Sequence, residues 1–336
     1  MEGKRVLIET LGELEEWSVL AVDGRPAQWR VPRRVVTPAV LEVVTQAHER
    51  CEPAEAELSE RARGEGPLAV SALPIMGPGG RVHAVQVCMA PLGAPLPEPY
   101  AVAAFDYSSR TRSIRVDGTP FGWSLPRDRS NWTVPEAFRY VERFDGSMDL
   151  ILRTLEPVEN TRWIGDVTAR IGEDLRRYRL ALRNGRGNAC THWLGVVHDV
   201  TEHLAPEPIS LDTAALTALG KQRSDRTHLV LADAQHVRLI RWITEPVPGI
   251  QWKGMVDDRD TPHPDDVARI FAEVGRNVQQ GRPHGRVDRV RLRRIGGGWT
   301  VVDTAGTIIP TPESSALMLI EFTVVGSSDE PDPTEP

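Results

Sequence analysis

The stretch that decides the fold is residues 263–309, HPDDVARIFAEVGRNVQQGRPHGRVDRVRLRRIGGGWTVVDTAGTII. Pro264 has a preset φ suited to a first helical turn, and Asp265 and Asp266 place negative charge at the positive end of the helix dipole. Apolar residues then recur at helical spacing until the sequence GRP ends the run. The pattern therefore predicts an amphipathic helix, whose apolar stripe is formed by Val267, Ile270, Phe271, Val274 and Val278.

Two strands are predicted after this helix. Val290 and Leu292 alternate with arginines, as a half-buried strand requires, and the glycines at 296–298 supply the φ freedom of a hairpin turn into Trp299. The order of helix, strand, turn and strand after an HPDD start resembles the second half of a PAS sensor domain. The sequence GVVHDVT at 195–201 is similar to the last strand of such a domain and its exit.

Length and composition bound the class of protein. At 336 residues the chain exceeds one typical domain of about 100–200 residues, and 40% hydrophobic with 26% charged residues describes a globular protein. A net charge of −7 gives no electrostatic support for nucleic-acid binding. No apolar run approaches the roughly 18 residues of a membrane span, and the start lacks the core of a secretory signal. We therefore expect a cytoplasmic protein with no nucleic-acid partner and no membrane span.

Proline-rich runs divide the chain. PLGAPLPEP at 91–99 and LAPEP at 204–208 can sustain neither a helix nor a central strand, so both are interpreted as linkers. The closing residues are acidic, Pro-rich and poor in apolar side chains, which favours disorder. The predicted segments are an N-terminal module at 1–92, a second at 98–205, a third at 209–326 and a disordered tail at 327–336.

The three segments share a layout. Each begins with an apolar run that turns near an aspartate, at Asp23, Asp106 and Asp233, continues into helical sequence and closes with antiparallel strands. We predict an α+β protein of three consecutive modules, each an antiparallel sheet with helices packed on it. By resemblance the first module is PAS- or GAF-like, the second PAS-like and the third a PAS domain.

The whole chain resembles a family of actinobacterial, mycobacterial-type triple sensor-domain proteins. The resemblance rests on the three PAS-like or GAF-like modules, on VLIETLG at 6–12 and on the lack of an attached effector domain. It implies a signalling or scaffold role without established enzymatic activity. It does not supply a ligand, because pockets diverge even when a fold persists.

Motifs for catalysis and for cofactors are missing from the sequence. There is no Walker loop, Rossmann glycine fingerprint, HExxH or GxSxG, so we predict that the protein is not an enzyme. The gaps within one group of candidate ligands fit no tight zinc pattern, and we predict neither a metal nor a resident cofactor. That group is Cys190, His192, His198 and His203.

A small-molecule pocket remains the main candidate site. An apolar cavity between a sheet and its helices is the usual place for a ligand, and aromatic side chains on or beside the predicted strands could line it. Filling the core is the alternative role of these tryptophans, since the chain has nine Trp against six Phe. The candidate pocket residues are Trp163, Trp193, His192, Trp252 and Trp299.

Two strands also carry basic faces, which are either solvated or able to bind an anion or an acidic partner. These faces are formed by Arg176, Arg177 and Arg179 and by Arg289, Arg291 and Arg293.

Two functions stay open at this point. The first is a sensor that binds an unknown small molecule and is read by an unidentified signalling protein. The second is a protein-interaction scaffold whose cores are filled and which takes no ligand. A homodimer is compatible with either function.

Overall fold

The computed structural model describes residues 3–59, 66–117, 130–208, 226–310 and 317–333. These residues form three antiparallel sheets of six, seven and five strands, which follow one another along the chain.

The first sheet has the strand order β3-β2-β1-β6-β5-β4. A two-residue turn joins β2 to β3 at Asp23 and Gly24, both with positive φ, as a tight hairpin turn requires. Helix α1, Pro38–Arg50, begins at Thr37, whose hydroxyl accepts a hydrogen bond from Val40 N, and it packs its apolar face on this sheet. The strands are β1 Lys4–Glu9, β2 Ser18–Val22, β3 Arg25–Arg30, β4 Ala54–Leu58, β5 Leu68–Met76 and β6 Val82–Pro91.

The second sheet has the order β10-β11-β12-β13-β7-β8-β9. Two short helices lie over one face, α2 at Val134–Phe138 and α3 at Ser147–Leu155. The Glu136 carboxylate accepts from both the N–H and the hydroxyl of Thr133, which starts α2. The strands are β7 Val102–Ser108, β8 Ser113–Arg115, β9 Asn131–Thr133, β10 Val141–Arg143, β11 Arg162–Ile171, β12 Asp174–Asn184 and β13 His192–Asp199.

The third sheet has the order β15-β14-β18-β17-β16, with helix α4 at Pro264–Gln279. The helix and the hairpin predicted from residues 263–309 are confirmed, and all three glycines at 296–298 have positive φ. Asp266 in the first turn of α4 accepts hydrogen bonds from Arg291 on the neighbouring strand. The strands are β14 Thr227–Asp233, β15 Arg238–Trp242, β16 His284–Arg293, β17 Trp299–Ile308 and β18 Leu317–Ser328.

Neighbouring sheets share apolar cores. Leu7 and Ala84 of the first sheet pack in one cluster with Ala181 and Val196 of the second. A second cluster joins Trp193 and its neighbours in the second sheet to residues of the third sheet, namely Leu231, Ile240 and Leu317. The sheets therefore bury parts of one another's faces.

The prediction of three PAS/GAF-like modules, each with helices packed on its sheet, is wrong. The structure is mostly antiparallel sheet, with 46% strand against 18% helix, and four helices are found among the described residues. Two of those helices have only five and nine residues. The physical reason lies in the shared clusters: apolar sheet faces that we assigned to helices of the same module are covered partly by another sheet.

The structure describes residues 327–333 of the predicted tail 327–336. Strand β18 extends to Ser328, and Glu330 accepts a hydrogen bond from the indole of Trp299 through its backbone oxygen. The carboxylates of Glu330 and Asp332 pair with arginines that the predicted strand β16 presents, Arg291 and Arg293. Acidic composition alone indicated disorder, whereas these basic partners hold the segment on the third sheet.

Candidate functional site

A cavity of about 190 Å³ lies between the second sheet and helices α2 and α3; we call it the second-sheet cavity. Its walls are nearly all apolar because the strands turn alternate side chains to this face and both helices add theirs. Ile240 of the third sheet completes the lining. The apolar wall includes Phe105, Val134, Phe138, Phe144, Ile151, Leu180, Leu182 and Val197.

One end of the second-sheet cavity is formed by Arg112, which is 3% exposed. Its Nη1 donates to the Tyr107 hydroxyl at 3.1 Å and to the Thr154 backbone oxygen at 2.8 Å. Its Nε and Nη2 donate to Asp233 Oδ2 at 3.1 and 2.8 Å. Arg112 adopts φ 51°, an uncommon conformation for a residue with a side chain.

Asp233 ends strand β14 in the third sheet and is wholly buried. Its Oδ1 accepts from the backbone N–H of Gln235 at 3.0 Å, and its Oδ2 lies 2.9 Å from His236 Nδ1. Burial by itself would raise the pKa of this carboxyl, but the Arg112 guanidinium outweighs it and lowers the pKa. Burial likewise works against the charge of Arg112, and Tyr107 and Asp233 together raise its pKa. The pair is therefore charged in the folded protein.

A second cavity, of about 280 Å³, lies between helix α4 and the third sheet; we call it the third-sheet cavity. Val267, Ile270, Phe271 and Val274 of the predicted apolar stripe line this cavity. This part of the stripe is less buried than the sequence pattern suggests, and Phe271 is 45% exposed. Strand residues including Val290, Leu292 and Ile320 form the floor. Polar side chains also reach this cavity, namely Asp233, Gln235, Glu273, Asn277, Arg282 and His284.

The four candidate pocket tryptophans are core residues. Each is at most 6% exposed. Within the described residues, none of them lines either cavity. Each indole N–H donates a hydrogen bond inside the protein: Trp163 to Asp149 Oδ2 at 2.9 Å, Trp193 to Ser109 Oγ at 3.0 Å, Trp252 to Thr133 Oγ1 at 3.0 Å and Trp299 to the Glu330 oxygen at 2.9 Å.

His192, the fifth candidate, is exposed at the start of β13, opposite Ser108, and neither cavity includes it among the described lining residues. The structure thus brings none of the five together at a cavity. Their apolar rings and indole donors are used for packing, which is the alternative role that composition left open.

The two basic faces are largely neutralised by nearby carboxylates. Arg177 and Arg179 both bind Asp166, at 2.9 and 2.7 Å, and burial of that carboxyl is outweighed by the two guanidinium groups, which lower its pKa. Arg291 binds Asp266 at 2.8 Å. These arginines therefore stabilise the sheets through ion pairs with carboxylates of the same protein.

Sequence reasoning missed Arg112. Asp233 carried a signal, since it stands at the turn that recurs in all three segments, but Arg112 lies in the turn sequence SSRTRS with nothing to mark it. The two residues are 121 positions apart, and no local pattern relates them.

Among the described residues, no cluster of three His, Cys, Asp or Glu side chains could hold a metal ion. Within the same residues, no helix is both long and apolar enough to cross a membrane.

In the described residues the fold consists of three joined antiparallel sheets, and the second and third sheets each border a cavity large enough for a small molecule. The N-terminal model of the Rv3651-like family matches residues 4–98, and the C-terminal domain model of the same family matches residues 213–319. Together these matches cover more than half of the chain, so the chain belongs to the Rv3651-like family.

A solved structure supports the same fold over nearly the full length. The crystal structure of an uncharacterized protein from Mycobacterium tuberculosis is 18% identical, with a TM-score of 0.71, and the match covers 96% of each chain. At this identity the likeness shows the fold alone. No curated protein is significantly similar in sequence.

Sensory domains also resemble the chain, but weakly. An RNA-binding Light-Oxygen-Voltage receptor is 9% identical with a TM-score of 0.26, covering 66% of this chain and 95% of its own. The ligand-binding domain of the amino acid chemoreceptor PctB of Pseudomonas aeruginosa PAO1 is 15% identical with a TM-score of 0.16, covering 61% and 74%. Scores this low support no assignment.

Proposed function

We propose that this chain is a non-enzymatic sensory protein that binds a small apolar molecule in the second-sheet cavity and passes its occupancy to a signalling protein. The observation that carries the proposal is the cavity itself, which has about 190 Å³ of space behind nearly all-apolar walls. Dry apolar cavities of about 150 Å³ bind molecules of benzene size.

The energetics favour occupancy. Apolar walls that face unfilled space lose the dispersion contacts that a packed core would give them, and this loss destabilises the protein. An apolar ligand regains part of that free energy through contacts with the walls. Binding is therefore the reason we infer for retaining such a space in a core that also contains large packed aromatic residues.

Binding without turnover is supported by how the polar groups at the cavity are used. The Tyr107 hydroxyl accepts from Arg112, and the Thr154 hydroxyl donates to the Ile151 backbone oxygen at 2.9 Å. Arg112 is itself held by Asp233. These groups support the wall of the cavity, and none is arranged as a nucleophile beside a base.

Indole is a suitable probe, because it is small, largely apolar and has one N–H donor. At about 100 times its dissociation constant it should raise the free energy of unfolding by about 2.7 kcal/mol, measured by thermal shift of the full chain. Ala169→Leu fills part of the second-sheet cavity and should abolish the shift; Ala232→Leu, in the third-sheet cavity, is the matched control and should retain it. An equal shift in both variants would contradict the proposal.

The alternative is a protein-interaction scaffold that takes no ligand. The observation that favours it is the filling of the cores by the four tryptophans, which have their indole donors satisfied internally. Mass spectrometry of the denatured purified protein separates the two functions. A co-purified small molecule supports the sensor, whereas no small molecule, no indole shift and a stable protein complex support the scaffold.

A further inference from the structure

Strands β14 and β15 form a wall between the two cavities. Successive residues of a strand point to opposite faces of its sheet. On β15, Ile240 lines the second-sheet cavity and Leu239 lines the third-sheet cavity. On β14, Leu231 belongs to the apolar core around Trp193, while Ala232 faces the third-sheet cavity. Occupants of the two cavities therefore contact opposite faces of strand β15, at Ile240 and at Leu239.

A buried ion pair crosses this wall. Arg112 lines the second-sheet cavity and Asp233 lines the third-sheet cavity, and their closest atoms, Nη2 and Oδ2, are 2.8 Å apart. The two side chains are 4% and 0% exposed. Loss of one partner would leave a buried charge uncompensated, so both ends of the pair must move together.

The third-sheet cavity differs from its neighbour in chemistry. Its floor is apolar, but polar side chains from the helix, from the strands and from the turns also line it. There the carboxylate of Glu273 is already bound by Arg276 and by Asn277 Nδ2. Arg282 lines the same cavity, is exposed, and has no carboxylate partner among the described residues. A site with an apolar floor and an available guanidinium suits an amphipathic acid.

We propose that the third-sheet cavity is a second binding site, for a small amphipathic carboxylic acid, and that the Arg112–Asp233 pair couples its occupancy to that of the second-sheet cavity. The apolar part of the acid packs on Val290, Leu292 and Ile320, and its carboxylate binds Arg282. The second site does not depend on the proposed function. The coupling rests on the proposed function, because coupling requires a ligand in the second-sheet cavity.

The coupling is positive. A ligand in the second-sheet cavity packs on Ile240 beside Arg112, and a ligand in the third-sheet cavity packs on Leu239 beside Asp233. Each ligand therefore favours the arrangement in which Arg112 is bound to Asp233. The second ligand then meets a wall that is already ordered, and each ligand tightens the binding of the other by the same factor. Coupling between sites typically changes affinity by about 5- to 150-fold.

The site itself is tested with decanoate, by isothermal titration of the full chain. Ala232→Leu should abolish decanoate binding, and Ala169→Leu, in the other cavity, should leave it intact. Arg282→Gln should weaken decanoate at least about 10-fold but leave the uncharged analogue 1-decanol unaffected, since an ion pair at this position contributes only to the acid. Decanoate binding that survives Ala232→Leu, or equal effects of Arg282→Gln on both probes, would overturn the second site.

The coupling is tested in the unaltered protein first. Saturating indole should lower the dissociation constant of decanoate at least about 5-fold. An unchanged constant, with indole shown to bind, overturns the coupling. If indole does not bind while decanoate does, the proposed function and the coupling fail together, and the second site stands.

The double variant Arg112→Gln with Asp233→Asn identifies the ion pair as the link. Two amides can still hydrogen-bond to each other, and the new side chain at position 233 keeps an oxygen for the N–H of Gln235, so no buried charge is left unpaired. Both ligands should bind, and the effect of indole on decanoate should fall to within about twofold. If indole still lowers the dissociation constant of decanoate fully in the folded variant, the role of the ion pair is contradicted. If the variant does not fold, decanoate binding with and without indole in the unaltered protein still decides whether the cavities are coupled.

Discussion

Glu9 on strand β1 and Arg183 on strand β12 form an ion pair at the boundary of the first and second sheets. Glu9 Oε1 lies 3.3 Å from Arg183 Nε, and the two side chains are 0% and 3% exposed. Burial raises the pKa of Glu9 from its ordinary 4.5 to about 7, and the attraction of Arg183 offsets this only in part. The junction of the two sheets therefore contains a carboxyl group that titrates near neutral pH.

The first prediction concerns Glu9 and pH. Because its pKa is raised in the folded state, Glu9 contributes stability that is complete below about pH 4.5 and is lost as pH rises through about 7. At about 1.4 kcal/mol for each unit of pKa, the loss is roughly 3 kcal/mol. Denaturant unfolding of wild type and Glu9→Gln between pH 4 and pH 8 should show that difference. The exposed Glu15→Gln should follow wild type, and parallel profiles for Glu9→Gln and wild type would contradict the prediction.

The second prediction concerns His198, which is 2% exposed and packs against Tyr100 with ring centroids 4.8 Å apart and the ring planes tilted by 52°. Neither ring nitrogen has a hydrogen-bond partner among the described residues, and burial lowers its pKa from 6.5 to about 4. A lowered pKa contributes stability that is present above pH 6.5 and is lost as pH falls through about 4.

His198→Phe should remove this acid sensitivity, which amounts to roughly 3 kcal/mol, and should keep the aromatic contact. The measurement is the unfolding free energy at pH 4 and at pH 7. The exposed neighbour His192→Phe is the control and should keep the wild-type difference. Glu9 and His198 act in opposite directions: Glu9→Gln should remove a loss of stability with rising pH, and His198→Phe should remove a loss with falling pH. If the two variants change the slope of unfolding free energy against pH in the same direction, the assignment is refuted.

The third prediction concerns the start of α4. Asp266 is 1% exposed and binds Arg291 and Arg269, at 2.8 and 2.7 Å, and these contacts outweigh burial and lower its pKa. Asp266→Ala should destabilise the protein by roughly 1–3 kcal/mol, because Arg291 loses its buried partner and keeps only Glu330 and the exposed Asp265. The side chain of Asp265 is 77% exposed, and Asp265→Ala should cost under about 0.5 kcal/mol. Equal costs in denaturant unfolding would mean that the Arg291 contact contributes little.

The fourth prediction concerns the segment boundaries at 92, 98, 205 and 209. Residues 92–99 and 204–208 lie outside the strands and are largely exposed, so limited proteolysis should cut within them. The fragments should stay together on size-exclusion chromatography under native conditions, because the sheets share the apolar clusters of Leu7 with Ala181 and of Trp193 with Ile240. Separation of the fragments without denaturant would instead indicate independent modules.

Local elements were predictable where the residues that specify them lie close together in the sequence. Pro264 with two aspartates specifies a helix start, alternation of Val290 and Leu292 with arginines specifies a strand, and three glycines specify the turn before Trp299. The aspartate turns at Asp23 and Asp233 were visible for the same reason. Such features depend on backbone preference and on side-chain periodicity, both of which act over one turn or one strand.

What the sequence by itself determined is therefore the set of hairpins, the α4 start and a resemblance to a mycobacterial family, which the Rv3651-like matches support. The tertiary structure alone decided which surfaces cover the sheets, where the acidic tail binds, and that the predicted pocket tryptophans are packed in cores. It also decided that Arg112 meets Asp233 across 121 residues. Burial and ion pairing depend on distance in space, and the chain brings these groups together only after its three sheets have packed against one another.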